Sequence, residues 1–533
     1  MTRFRYIYAI LIAFAFAHAS CSPEKHDFSD EEDGQEQTLD VQATLHVQMT
    51  GLAKRPAGSR TSLKPGTNYE DKITSMTFFL LDLDNSGTPD WTNVKIATIY
   101  PPVGGEWQNE SVITLSIITN AGKKHVYAGA NMNAGQIASF RNSRGVYTSP
   151  GNTYESVIGD FVNPTRGIVM FGQVVMSVDG ADEIEISGTP PIQTKVDLYR
   201  VVSKISVCYT PDTNPDYLKI KAGLGGSIKA EDVYFMINTT NKTINFTNPA
   251  SYSLSEYIEK NENMGILSMY YYKKNPSSAL MIYLPGGNAP ADPDETQYYP
   301  TRAIYLPLDV PAGDNPYRKG IDKYNPAFAV ADNPDHYASS LYCLENKVIS
   351  AGFDCDPTLL PNMRQGLNTR VIVAARYIPG EITHWDELHG GLYSISNATE
   401  SKMEEITSCM YEGVHDENGL YTFYAVVETP AATPGDLPVY RYYTYAAKKF
   451  RESQSEPPKF IPYQKGYGYY GTFISQHDLI DDETVDVLRN NYYALNIQVI
   501  SPPGAVYPEQ LYMLVNSETI DWRIMEGVDV TLE

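Results

Sequence analysis

A strict alternation of apolar and polar residues near the start of the chain constrains its fold more than any other feature. Over residues 38–49 (TLDVQATLHVQM) every second side chain is apolar and each intervening one is polar. A period of two is typical of a β-strand with one buried face, whereas an amphipathic helix has an apolar period near 3.6. The predicted buried face consists of Leu39, Val41, Ala43, Leu45, Val47 and Met49.

Strand-like runs recur along the whole chain, separated by clusters of Gly, Pro, Asn and Asp. The chain also has 41 Tyr against 17 Phe, and Tyr favours pleated, half-buried surfaces. The runs cover residues 73–83, 111–119, 196–209, 233–237, 370–378 and 421–427. Helical candidates are short and cover residues 252–261, 338–344 and 401–411. The pattern predicts an all-β, mainly antiparallel fold: two β-sandwich domains in tandem with minor short helices.

A chain of 533 residues is too long for one compact core and suits more than one domain. The turn-rich stretch 211–227 (PDTNPDYLKIKAGLGGS) is the predicted boundary. We therefore expect an N-terminal sandwich over residues 61–212 and a C-terminal sandwich with insertions over residues 228–505.

Charge and motifs argue against nucleic-acid and cofactor binding. The 64 acidic and 41 basic side chains give a net charge of −23, whereas phosphate binding needs clustered Lys and Arg. A GxGxxG pattern at residues 466–471 lacks the preceding strand and following helix of a dinucleotide site. Residues 82–90 resemble the start of a calcium loop, but Asn93 replaces the final Glu and a hairpin turn explains the same residues. We expect no cofactor and no resident metal, and leave calcium near Asp82 open.

The sequence also lacks a recognisable catalytic constellation. It has no HExxH, GxSxG or P-loop motif, and its nine His residues are scattered. The five Cys residues form no C-x-x-C pair, and Cys343 and Cys355 fit a short disulfide loop or two thiols equally well. We therefore predict a protein that is not an enzyme.

The N-terminus is typical of an export signal. Arg3 and Arg5 precede a 12-residue apolar run, which is shorter than the roughly 20 residues that a spanning helix needs. We predict a signal peptide over residues 1–20. The small residues before Cys21 resemble a bacterial lipobox, which implies a lipid (palmitate-bearing) anchor on Cys21. Ordinary cleavage near Ala19 is the alternative. Residues 21–37 are acidic and predict a disordered tether.

Two further segments bear on function: a loop at residues 50–66 and the C-terminal tail at residues 506–533. Residues 50–66 are rich in Gly, Pro and small residues, which is typical of a proteolytic site. Arg55 precedes a proline, whose imino bond resists most trypsin-like enzymes, so a cut by such an enzyme would fall after Arg60, with Arg55 as the second choice. An uncleaved surface loop remains the alternative. Residues 506–533 alternate again, with apolar positions at Leu511, Met513, Val515, Ile520, Trp522, Ile524, Val528, Val530 and Leu532.

The chain resembles the fimbrillins, the pilin subunits of the type V fimbriae of Bacteroidota. The matching features are the Cys-tipped start, residues 126–133 (VYAGANMN), residues 196–208 with RVVSK, residues 487–499 (VLRNNYYALNIQV) and Asp521-Trp522 before a terminal strand.

The resemblance implies a structural role in a fimbrium that supports adhesion. An Arg-specific protease would remove the first strand (residues 38–60), and the groove would then accept the C-terminal strands (residues 506–533) of an identical or homologous subunit. Such donor-strand exchange is a form of strand addition. The precursor would be lipid-anchored at the outer membrane and the product would lie in the extracellular fimbrium.

Two other functions remain open from the sequence. The first is a tip or accessory adhesin of the same fimbrium, which would need no donor tail. The second is a surface glycan-binding lipoprotein, which would keep its lipid and its first strand.

Overall fold

Strands dominate the part of the chain that the structure describes. The structure is a computed structural model, and it describes residues 40–50, 69–102, 105, 107, 111–151, 154–188, 190–237, 239–247, 280–282, 318–329, 336–347, 369–386, 391–396, 423–430, 438–444, 447, 461–474, 486–487, 489–505 and 528–532.

The first half of the chain contains thirteen strands and two short helices. In chain order they are β1 (Asp40–Thr50), β2 (Met76–Asp82), β3 (Lys95–Ile99), β4 (Val112–Asn120), β5 (Gly122–Ala130), α1 (Ala134–Asn142), β6 (Val146–Thr148), α2 (Tyr154–Phe161), β7 (Val162–Asn163), β8 (Gly167–Ile168), β9 (Met170–Met176), β10 (Glu183–Ile186), β11 (Ile192–Asp197), β12 (Tyr199–Arg200) and β13 (Val202–Tyr209).

The second half contains the remaining strands and two 3-10 turns, Pro326–Ala329 and Gln464–Gly466. Its strands are β14 (Ser227–Ile237), β15 (Thr239–Asn241), β16 (Thr243–Asn245), β17 (Leu280–Ile282), β18 (Arg318–Lys319), β19 (Asp322–Lys323), β20 (Ser340–Leu344), β21 (Asn346–Lys347), β22 (Arg370–Ile378), β23 (Glu381–Asp386), β24 (Gly391–Ser396), β25 (Phe423–Thr429), β26 (Val439–Tyr443), β27 (Ile461–Tyr463), β28 (Tyr467–Phe473), β29 (Asp486–Val487), β30 (Tyr492–Ile500) and β31 (Val528–Leu532). The predicted all-β, mainly antiparallel fold with few short helices is confirmed.

The first sheet has the strand order β3-β2-β5-β9-β11-β1-β4, with β10 paired to β5 and β12 to β9. Its middle strands are buried on both faces, which explains why β2 has the nearly continuous apolar sequence MTFFLLD instead of an alternating one. Phe78 and Leu80 pack into one core, while Phe79 and Leu81 pack into another.

The core on the first side is called the small core below. It consists of Ala43, Leu45, Val47, Met49, Ile73, Met76, Phe78, Leu80, Ile113, Leu115, Val126, Ala128, Ala130, Met170, Val174, Ile184, Ile186, Val196 and Leu198. The core on the other side, called the main core, joins Phe79, Leu81 and the helix residues Phe140 and Phe161 to β13 and to strands of the second half, including β22 and β30.

Strands of the second half, together with β13, form further sheets. One has the order β19-β13-β30-β31, with β20 antiparallel to β13; another has the order β18-β14-β22-β28; a third has the order β24-β23-β26-β25-β27. β13 lies within the predicted N-terminal domain, yet it pairs with β20 and β30 of the second half. The described residues from Asp40 onward group as one compact unit.

Helix α1 and strand β20 differ from what the sequence predicts. α1 was not predicted; it begins with a capping box in which Asn133 and Gln136 exchange side-chain-to-backbone hydrogen bonds of 2.9 Å. The helix predicted at residues 338–344 is wrong, because Ser340–Leu344 is a strand paired with β13, where Leu341 and Leu344 are buried. The other two helical candidates lie outside the described residues. Within the described residues, no helix is long and apolar enough to span a membrane.

Candidate functional site

β1 is an interior strand, enclosed on both edges by neighbours from far along the chain. It pairs in parallel with β11, where Leu45 lies opposite Ile192 and Val47 opposite Thr194. It pairs antiparallel with β4, where Leu45 lies opposite Leu115 and Val47 opposite Ile113. Within the described strands β4 forms a ladder with β1 alone. Loss of β1 would therefore leave a slot between β4 and β11 with unpaired backbone groups on both sides.

The inward face of β1 is fully buried. Ala43, Leu45, Val47 and Met49 are each 0–2% exposed, and all four belong to the small core. The intervening side chains of Gln42 and Gln48 face outward and are exposed. Val41 is partly buried against the same core. The alternation seen in the sequence is therefore the inside-outside pattern of this strand.

No described residue of β1 belongs to the main core. The main core instead connects the opposite faces of β2, β5 and β9 to helices α1 and α2 and to strands of the second half. Removing β1 would strip one wall from the small core while the contacts of the main core stay in place. The described contacts of β1 with the apolar cores are therefore confined to the small core.

The slot holds one buried polar atom without a partner. The hydroxyl of Thr119 on β4 is buried opposite Val41 and has no hydrogen-bond partner among the described residues. Elsewhere along the strand the Thr194 hydroxyl donates to the His46 carbonyl oxygen at 3.3 Å. Apart from Thr119 and Thr194, the described side chains that face inward from β4 and β11 are apolar, so an unpaired charge buried there would be unfavourable.

The predicted processing residues lie outside the described part of the chain. These are Arg55 and Arg60; the predicted lipidation residue Cys21 and the predicted removable-strand residue Leu39 lie outside it too. So do six of the predicted donor positions, namely Leu511, Met513, Val515, Ile520, Trp522 and Ile524. The loop that carries both arginines therefore connects β1 to the next described segment, which begins at Tyr69.

The last three predicted donor positions lie on β31. Val528, Val530 and Leu532 pair in parallel with Leu495, Ile497 and Ile500 of β30, with a shift in register after Ile497. β31 is the outer strand of its sheet within the described residues. An outer strand is held by one ladder only, so its release breaks fewer backbone hydrogen bonds than release of β1 does.

Five of the six GxGxxG residues lie on a strand, and Gly466 ends the 3-10 turn before it. Tyr467–Phe473 is β28, which pairs with β22 and buries Tyr467, Tyr469 and Tyr470. Gly468 is required by a close backbone approach, since a Cβ there would lie 1.7 Å from the Pro503 carbonyl oxygen. The motif therefore serves sheet packing.

The calcium-like residues form a hairpin turn. An Asp84 carboxylate oxygen accepts hydrogen bonds from the Ser86 hydroxyl, the Ser86 backbone and the Thr88 backbone, at 2.6, 2.8 and 2.9 Å. These bonds hold the pKa of the Asp84 carboxyl below its usual value, the Ser86 hydroxyl having the largest effect. The Asp82 carboxylate pairs with the buried ammonium of Lys124. Within the described residues, no group of three His, Cys, Asp or Glu side chains could hold a metal.

The remaining candidate residues also have structural surroundings. His384 is buried, and its Nδ1 lies 2.8 Å from the Thr444 hydroxyl. Cys343 is a buried thiol on β20, and burial raises its pKa well above the usual value. Cys355, its suggested disulfide partner, lies outside the described residues. Sequence reasoning did not single out β11 as the second neighbour of β1, because a parallel pairing across about 150 residues leaves no local signal.

Comparison with known proteins gives structural likeness only. No family model matches the chain, and no curated protein matches it in sequence. Among solved structures it is similar to a fimbrilin of Porphyromonas gingivalis, at 13% identity and a TM-score of 0.37 over 92% of this chain and 97% of that one. It is similar to a candidate cell adhesion protein of Parabacteroides distasonis, at 12% identity and a TM-score of 0.37 over 93% and 100% of the two chains.

A third similar structure is a tip fimbrial protein of Porphyromonas gingivalis, at 11% identity and a TM-score of 0.28 over 86% of this chain and 95% of that one. The resemblance to Bacteroidota fimbrillins that the sequence predicts thus has a counterpart among solved structures, at low identity. At these identities and TM-scores the function has to be argued from the residues of this chain.

Proposed function

We propose that the chain is a structural pilin subunit of a cell-surface fimbrium that supports adhesion. It is exported with a lipid on Cys21, cut after Arg60 by an Arg-specific protease, and freed of its first strand. Residues 506–533 of an identical or homologous subunit then fill the slot between β4 and β11. The precursor is anchored at the outer membrane, and the processed subunit lies in the extracellular fimbrium.

The observation that carries this proposal is the position of β1. It is an interior strand that supplies one wall of the small core and none of the described main core. It is joined to the rest of the chain by a Gly- and Pro-rich loop with two arginines. Because the slot and the donor tail are different surfaces, each contact leaves a free slot and a free tail, so the assembly extends into a filament.

A disulfide staple across β1 and β4 tests the proposal. The Met49 backbone N–H donates to the Ser111 carbonyl oxygen at 3.0 Å, and hydrogen-bonded pairs alternate along an antiparallel ladder. Gln42 and Ile118 therefore form a pair without mutual hydrogen bonds, with Cα atoms about 4.5 Å apart. That separation is within the range of a disulfide, and both side chains are exposed.

The double variant Gln42→Cys/Ile118→Cys should be cut by trypsin after Arg60 at the normal rate yet stay monomeric. Adding a reductant should then start polymerisation, seen as a ladder of oligomers by size-exclusion chromatography. The single variant Gln42→Cys is the matched control and should polymerise with or without reductant. Polymerisation of the cut, oxidised double variant would contradict the proposal.

A further inference from the structure

Residues 69–74, which join the processing loop to β2, are tied to the body of the protein at almost every position. The hydroxyls of Tyr69 and Tyr342 lie 2.8 Å apart. The Lys72 carbonyl oxygen accepts a hydrogen bond of 2.6 Å from the Asn131 side chain, whose oxygen accepts one of 2.9 Å from the Thr74 backbone. Asn131 is fully buried and has a left-handed backbone, with φ of 59°. This segment therefore has a fixed position and register.

One fully buried ion pair and one partly exposed ion pair lie at the centre of this segment. Glu70 is completely buried, and its Oε1 lies 2.8 Å from Nζ of Lys204, which is 2% exposed. The same Glu70 oxygen accepts a hydrogen bond from the Tyr342 hydroxyl. The Arg200 guanidinium, 1% exposed, pairs with the Asp71 carboxylate and donates from Nε to the Glu70 carbonyl oxygen at 3.2 Å. Both acidic residues are thus held by cations from β12 and β13.

The surrounding groups support the two cations. The Lys204 Nζ lies 5.1 Å from the centre of the Tyr492 ring and 3.1 Å from Nδ1 of His336. Nη1 of Arg200 donates to the Asn490 side-chain oxygen at 3.3 Å. Burial lowers the pKa of Arg200 to about 10 and lowers the pKa of Lys204, while the nearby Glu70 opposes both shifts.

Buried ion pairs are a costly way to hold two segments together, because desolvation offsets most of the attraction. Apolar side chains of similar volume would often stabilise the fold as well, but they would not fix the register of a short segment. Directional hydrogen bonds to both side chains and backbone do fix it. The cluster is therefore better explained as a positioning device than as a source of stability.

The place of this ion-pair cluster in the chain indicates which segment the cluster positions. After Arg60 the next basic residues are Lys64, which precedes a proline, and Lys72, which lies inside the tied segment. Cleavage after Lys72 would cut the chain only three residues before β2, which contributes to both cores. A protease needs an extended, detached segment, so a tied backbone resists cleavage.

We propose that Glu70, Asp71, Arg200, Lys204 and Tyr342 form an ionic clamp that marks the end of the removable part of the chain. The clamp holds residues 69–74 on the body after the loop is cut, so cleavage releases β1 while β2 stays in the sheet. This inference rests on the proposed function, because it assigns the clamp a role in strand removal.

The test is trypsin digestion of the monomeric precursor, followed by mass spectrometry of the new N-termini. The wild-type protein should give a terminus at Thr61 and resist cleavage after Lys72. Glu70→Gln leaves Lys204 without its carboxylate and should yield the Ile73 terminus at least tenfold faster. The matched control is Glu183→Gln, which breaks the exposed pair between Lys123 and Glu183 at 2.8 Å and should leave the digestion pattern unchanged.

The fold of each variant is checked first by near-UV circular dichroism. If Glu70→Gln does not fold, Asp71→Asn replaces it, since Asp71 is partly exposed and its loss leaves Arg200 without its carboxylate. The inference would be overturned if a folded clamp variant is cut after Lys72 no faster than the wild type. Rapid cleavage of the wild type after Lys72 would overturn it as well. The digestion is read on monomers before assembly, so a failure to polymerise would count against the proposed function and leave this result intact.

Discussion

Leu45→Ala should destabilise the precursor and leave the assembled filament unchanged. Leu45 is completely buried in the small core, and Leu→Ala substitutions at such positions cost about 2–5 kcal/mol. Leu45, Val47 and Met49 together contribute about 4.5–9 kcal/mol to the docking of β1, at about 1.5–3 kcal/mol each, as an upper bound. One substitution therefore removes a large fraction of what holds β1 in its slot.

The consequence after cleavage is faster release of β1. A loss of 2 kcal/mol raises the equilibrium constant for release roughly 30-fold, since 1.4 kcal/mol is a factor of ten. If release precedes donor entry, cut Leu45→Ala protein should polymerise faster than cut wild type. The filament itself should have wild-type stability, because residue 45 is absent from it.

Leu81→Ala is the matched control for this prediction. It is the same substitution at a site that is also completely buried, but Leu81 packs in the main core and stays in the processed subunit. Urea unfolding of the precursor and thermal dissociation of the filament measure both states. Leu81→Ala should lower the stability of the precursor and of the filament. Leu45→Ala should lower the stability of the precursor only. Equal weakening of the filament by Leu45→Ala would refute the reasoning.

Three further predictions concern single sites. Thr119→Val should stabilise the precursor by about 1–2 kcal/mol in urea unfolding, because it removes a buried hydroxyl without a described partner, and an unchanged midpoint would contradict this. Calcium should leave the melting temperature unchanged, because the carboxylates it would need are already engaged: Asp82 by Lys124 and Asp84 by N–H groups of the turn. A higher melting temperature at millimolar calcium would show that these residues bind the ion. Gly468→Ala should lower the free energy of unfolding by about 1–3 kcal/mol, because the new methyl group overpacks against the Pro503 carbonyl, and the melting temperature should fall. A wild-type melting temperature would show that the Pro503 backbone moves aside.

Strands with a strong local pattern were predictable from the sequence. The predicted run at residues 370–378 coincides with β22, and the run at residues 111–119 differs from β4 by one residue at each end. Both have apolar patterns and flanking turn formers that need no information from elsewhere in the chain.

Pairing across the chain was not predictable in the same way. β20 resembled a helix in sequence, but its apolar residues are buried as a strand against β13, so tertiary packing overrides local propensity. The parallel pairs β1–β11 and β13–β30 join segments with no shared local signal. Glu70 and Asp71 look like surface residues in the sequence, and only the folded chain brings Lys204 and Arg200 to them.

The central claim is that a subunit loses its first strand and receives one from another subunit. Mass spectrometry of the protein in purified fibres tests this most directly. The account predicts a subunit that begins at Thr61, with no peptide from residues 40–50 and with residues 506–533 intact. Fibres whose subunits still contain residues 40–50 in full amount would contradict it.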